Sequence, residues 1–163
     1  MPKTRATSPG GGHDLSRILN SNNNEFDVNQ AGLQAAIDDL PAAGGWVSGP
    51  KWMTEITITT PILVPSHVLL KDVRLKLADG SNCNMIENSA PVAGNVDITV
   101  EDCILDGNGA NQTADADGIY FLTVGTASVE GALIKDCVIH HCYSHGIRLD
   151  HNYHSKIVHN TSR

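Results

Sequence analysis

Between residues 68 and 161, apolar and polar positions follow one short phrase that returns four times. Residues 68–75 (VLLKDVRL) line up with 98–105 (ITVEDCIL), then with 132–139 (ALIKDCVI), and finally with the partial copy 156–161 (KIVHNT). An Asp or Asn recurs at 72, 102, 136 and 160. Two residues before it stand Leu70, Val100, Ile134 and Val158; directly after it come Val73, Cys103, Cys137 and Thr161. Period-two alternation on both sides of the Asp, with its parity changing there, predicts a strand, a bend and a second strand that share one buried face.

The intervals of 30, 34 and 24 residues lie in the range where self-similarity means stacked repeats, with loops absorbing the unequal lengths. A second ladder runs beside the first: Asp117, Gly118, Ile119, Tyr120 and Phe121 match His145, Gly146, Ile147, Arg148 and Leu149, 28 residues on. Two columns of strands in one coil predict an all-β parallel β-helix over residues 26–163.

Upstream of the repeats the period changes. Leu33, Ala36, Ile37 and Leu40 fall at helical spacing, Asp27 is a capping residue, and Pro41 with Gly44 and Gly45 stops the run. A short amphipathic helix here is expected to lie over the open end of the coil as an N-terminal cap. Strands are expected at 46–48, 55–59 and 62–64, with Pro50, Pro61 and Pro65 at corners. Residues 1–25 read as a flexible tail with at most one helical turn at 15–19, either a disordered leader or an attachment segment that orders on a larger assembly.

Composition narrows the class. Hydrophobic residues make up 40% of the 163 but aromatics only 4%, so the core is built of thin layers of Val, Ile, Leu and Ala. A net charge of −7 argues against nucleic acid and anionic membranes as partners. No apolar run reaches the roughly 18 residues of a membrane span, and the N-terminus shows no signal-peptide core. Four cysteines do not make a disulfide scaffold. Cys103 and Cys137 fall on adjacent rungs where a bridge is geometrically open, but the favoured reading is reduced core thiols. The last coil stops without a cap. This is expected of a fragment of a longer helix, of a coil packed against another subunit in a homo-oligomer or larger assembly, or of a polar tail that folds over the end, the first two being favoured.

The helix, the Gly-Gly stop, the Pro-marked corner and the run ILVPSHVLLKDVRLKLADGSN (62–82) resemble the N-terminal part of the pectate-lyase-like superfamily. That group includes polygalacturonase- and rhamnogalacturonase-like enzymes, epimerases and phage tailspikes. The resemblance spans about residues 26–163 and implies a right-handed parallel β-helix, extracellular or on a virion, that engages polysaccharide. The expected role is a structural or glycan-binding module of tailspike or adhesin type. The alternative is a lyase, hydrolase or epimerase of acidic polysaccharide.

The segment with Asp115, Asp117 and Gly118 is similar to the Asn-Thr-Asp-Gly motif of polygalacturonases, which implies a catalytic Asp117; the bland alternative is a turn Asp bonded to nearby backbone. Inverting hydrolysis needs a second carboxylate, and the next rung offers His145 instead, leaving Asp150 or Asp106 to substitute. A lyase would use Arg148 or Lys156 as base, with Asp115, Asp117 and Asp150 as calcium ligands. Tyr120, Arg148 and His145 are the candidate sugar contacts. Six of the eight histidines lie between 140 and 159 without a strong metal-ligand spacing, and acid is expected to load like charge onto adjacent coils. The stacked Asp column requires neutralisation, for which Lys71, Arg74 and Lys135 are candidates.

Overall fold

The computed structural model describes residues 17–52 and 54–162. The chain visits three sheets in rotation, and each circuit adds one parallel strand to each sheet. In the first sheet Gly45–Ser48, Val68–Lys71, Ile98–Glu101, Ala132–Lys135 and Lys156–Val158 stack in register. The second holds Ile56–Ile58, Arg74–Leu77, Ile104–Asp106, Val138–His140 and Thr161–Ser162. The third holds Ile62–Val64, Ile86–Asn88, Ile119–Leu122 and Ile147–Asp150. This is a mostly β molecule of parallel sheets with a single α-helix among the described residues.

The core is the inward row of each sheet. Leu70, Val100 and Ile134 stack in the first, Leu75, Leu105 and Ile139 in the second, and Ile86 and Ile119 in the third, all at most 1% exposed. The expected bend falls at Asp72, Asp102 and Asp136, whose φ of 55°, 54° and 54° is left-handed. That turn lets Leu70 and Val73 both point inward although they are an odd number of positions apart. Val73, Cys103 and Cys137 form a further buried column. All four cysteines are free, and burial holds the Cys103 thiol well above the ordinary value.

The last coil corrects the sequence alignment by one residue. Ile134 pairs with Ile157 and Lys135 with Val158, so the left-handed rung above Asp136 is His159, φ 54°. Asn160 instead tops the Cys column. Its Oδ1 accepts from Cys137 N at 2.8 Å and its Nδ2 donates to the Ile134 carbonyl at 2.8 Å, closing the last described rung with a side-chain amide.

The N-terminal end differs more from expectation. Ile18–Asn20 is a strand with Ile18 fully buried, pairing antiparallel with Gly45–Ser48 and with Glu25–Phe26. Within the expected tail, the described part of the helical turn at 15–19 is thus a strand; residues 1–16 lie outside the described residues. The cap of α1 (Gln30–Asp38) is Asn29, whose side chain accepts from Gly32 N at 2.8 Å. Asp27 instead pairs with Arg17 at 2.6 Å. Leu33, Ala36 and Ile37 of α1 are buried, as a cap requires. Its glutamines also serve the coil edge. Gln30 Oε1 accepts from Thr59 N, and Gln34 takes both the N–H and the carbonyl of Leu63, at 2.9 and 3.1 Å.

Candidate functional site

The outer face of the third sheet carries a row that crosses all four of its strands: Leu63, Glu87, Tyr120 and Arg148. Inward Ile119, Phe121 and Ile147 fix the parity that sends Tyr120 and Arg148 out. The Arg148 guanidinium lies 4.9 Å from the Tyr120 ring centre, a cation–π distance. Asp150, next outward on the same strand, holds it with Oδ2 at 3.0 Å from Nε and 2.8 Å from an outer nitrogen. That hydrogen bond keeps the Asp150 carboxyl below the usual carboxylate range and the Arg148 guanidinium above its own. Partial burial, then the Asp150 charge, raises the Tyr120 phenol.

Asp117 sits at the entry of the same sheet but is buried, with its side chain 3% exposed. Oδ1 accepts from the His145 backbone N–H at 2.9 Å and lies 3.0 Å from His145 Nδ1. Its carboxylate thus joins two coils and orients an imidazole that is 61% exposed. Gly118 is required by packing, since a Cβ there would lie 2.5 Å from the Gly146 carbonyl oxygen. The Asp-Gly-Ile ladder is accordingly a rung-to-rung joint.

Of the expected catalytic residues, Asp150 is bonded to Arg148, whose guanidinium also feels the Asp117 charge. Asp150 is level with Leu122 at the far end of the strand Ile119–Leu122, whereas Asp117 precedes that strand. Asp115 is exposed and bonded to Ser144 Oγ at 2.9 Å, and Asp106 belongs to the second sheet. Among the described residues Asp115, Asp117 and Asp150 do not gather into a group that one ion could share. Of the expected sugar contacts, Tyr120 and Arg148 touch; His145 lies on the same sheet, about 10 Å along the strand from Arg148.

Neutralisation of the Asp column also differs from expectation. The buried Lys51, 4% exposed, reaches between coils to Asp72 at 3.8 Å and to Asp102, while its ammonium donates to the Asp102 carbonyl at 2.9 Å. Lys135 pairs with Glu101, Arg74 with Glu55, and Lys71 lies over Trp46. Lys156 is near Glu130 at 4.0 Å, on the first sheet and away from the Tyr120 row.

Sequence reasoning missed a groove of about 500 Å³ at the corner between the second and third sheets, lined by Asp106, Asn108, Gly109, His141, Cys142 and Tyr143. Burial pushes the Cys142 thiol up to about 11. The Asp102/Asp136 alignment, extended four residues, already sets Asp106 opposite His140.

No protein-family model matches the chain. No curated protein matches it either. Among solved structures it is similar to the mannuronan C-5 epimerase A-module of Azotobacter vinelandii, with a TM-score of 0.51 and 19% identity over 82% of this chain. The match spans 37% of that structure's chain, and the likeness is one of fold.

Proposed function

We propose that this chain is a right-handed parallel β-helix of the pectate-lyase-like superfamily that binds acidic polysaccharide along the outer face of its third sheet. In this reading it is a structural or glycan-binding module of tailspike or adhesin type, working outside the cell or on a virion. The observation that carries it is Arg148, 4.9 Å from the Tyr120 ring centre, held by Asp150 and still 41% exposed. A guanidinium fixed on one side keeps donors free on the other for a uronate carboxylate. The adjoining ring offers an apolar face to sugar C–H groups. Right-handedness accords with the general preference of parallel crossovers, and the fold likeness to a mannuronan epimerase makes polyuronates the first polymers to test. Association through the last coil belongs to the same reading.

A second reading rests on the Asp117–His145 pair. A buried carboxylate orienting an exposed imidazole is a positioned proton acceptor, which a lyase or epimerase needs for the proton next to a uronate carboxylate.

Binding to pectate, alginate and neutral polysaccharides, with reducing ends and unsaturated-uronate absorbance followed in parallel, tests both. The module reading expects binding to acidic polymers without products, weakened about ten-fold or more by Arg148→Ala and less by Tyr120→Phe. Products that disappear in His145→Gln, with binding retained, would instead establish the enzyme. Indifference to every acidic polymer would sink both.

A further inference from the structure

We propose that Asp106, His140 and His141 form a binding site for a divalent transition-metal ion of the zinc class, at the edge of the corner groove. Asp106 and His140 are cross-strand partners in the second sheet, so their side chains stand one above the other at strand spacing, about 4.8 Å. Consecutive residues of a strand ordinarily point to opposite faces. His141 escapes that rule because its φ is +53°, and the turn brings its ring back beside His140.

The donor atoms converge. His140 Nδ1 and His141 Nδ1 are 2.9 Å apart, and they lie 3.8 and 3.3 Å from the same oxygen, Asp106 Oδ1. A point equidistant from three atoms so separated is about 2.0 Å from each, the length of a zinc–nitrogen or zinc–carboxylate bond. The two rings stand at 89° to one another.

The three atoms can be joined either by a proton or by one cation. Three lone-pair-bearing atoms face one another. A proton on His141 Nδ1 can be shared between His140 Nδ1 and Asp106 Oδ1, whereas with both imidazoles protonated on Nε2 all three inward atoms present lone pairs. A metal ion satisfies all three at once. Two imidazoles with one carboxylate select zinc, cobalt or nickel over calcium or magnesium, which prefer all-oxygen sets.

The coils hold the ligands before any ion arrives. Asn108 N–H donates to Asp106 Oδ1 at 3.0 Å, fixing the carboxylate. Gly107 N–H and Gly109 N–H clamp the His140 and His141 carbonyls at 2.9 and 2.6 Å. A Cβ on Gly107 would lie 2.6 Å from Cys142 Cα, so this approach depends on glycine. On the groove side, next to Asn108 and Tyr143, a fourth position is left for water or an oxygen-bearing ligand. This site is independent of the Tyr120–Arg148 row.

Calorimetric titration of the full chain with zinc, and with cobalt read by its visible ligand-field absorption, tests the proposal. One ion per chain is expected, with affinity reduced about ten-fold or more in His140→Ala and Asp106→Asn. His141→Asn keeps a residue suited to the left-handed turn while removing the imidazole, and should lose binding equally with an unchanged circular dichroism spectrum. His67→Asn, which removes the ring from another His–Asp pair (Nδ1 to Asp97 at 3.2 Å), should leave zinc binding intact. In the unmutated protein zinc should shield His140 and His141 from diethyl pyrocarbonate. Absence of binding, or binding that survives both His140→Ala and His141→Asn, overturns the site.

Discussion

Thirteen described non-glycine residues have positive φ, and twelve of them are Asn, Asp or His. These are the side chains that best tolerate the left-handed region. This accounts for two features that looked chemical in the sequence. The Asp column at 72, 102 and 136 marks bends, and His67, His141, His151, His154 and His159, five of the eight histidines, occupy left-handed corners. It also explains the slip in the last coil: His159 and Asn160 are both suited to the bend, and Ile157 and Val158 are both apolar, so residue type does not choose between the two registers. Asp136→Val should cost about 1–2 kcal/mol, whereas Asp136→Gly should cost less, by urea unfolding. Asp150 supplies the pH dependence. Its carboxyl is depressed by Arg148, so its contribution is complete above the ordinary value of 3.8 and is lost as pH falls through the lower folded value. The stability difference between the parent and Asp150→Asn should therefore be constant from neutrality to about pH 4 and vanish in stronger acid.

At the level of elements, the strand–bend–strand units were legible because inward aliphatics repeat with fixed parity around a bend. The first antiparallel strand was not, since Ile18–Asn20 offers one buried aliphatic between Asn-rich stretches and gains its place only from its partner Gly45–Ser48. The capping role of α1 could be read from its apolar stripe, but its glutamines could not. Gln30 and Gln34 occupy polar helix positions, yet they complete backbone hydrogen bonds at Thr59 and Leu63. Gln34→Ala should speed amide exchange at Leu63 roughly five-fold, as loss of one hydrogen bond implies, with Ile86 unchanged. The Tyr120–Arg148 contact followed from the 28-residue ladder. The grouping of Asp106, His140 and His141 did not, because strand alternation would send adjacent rings apart.

Among the described residues, the molecule is held together by contacts between successive coils. Stability should then depend on nearest neighbours. Ile134→Ala, which empties part of a fully buried layer, should cost about 2–5 kcal/mol. Amide exchange should accelerate most at residues 98–106 and 156–158, and least at 56–64, three rungs below; uniform acceleration across all sheets would contradict this. The left-handed corners carry one further consequence. The few residue types sterically welcome there are also those that bind ions and shuttle protons, so the backbone's own handedness stocks its rim with reactive groups. New chemistry on such a scaffold would need no refolding, only an exchange of one corner letter for another.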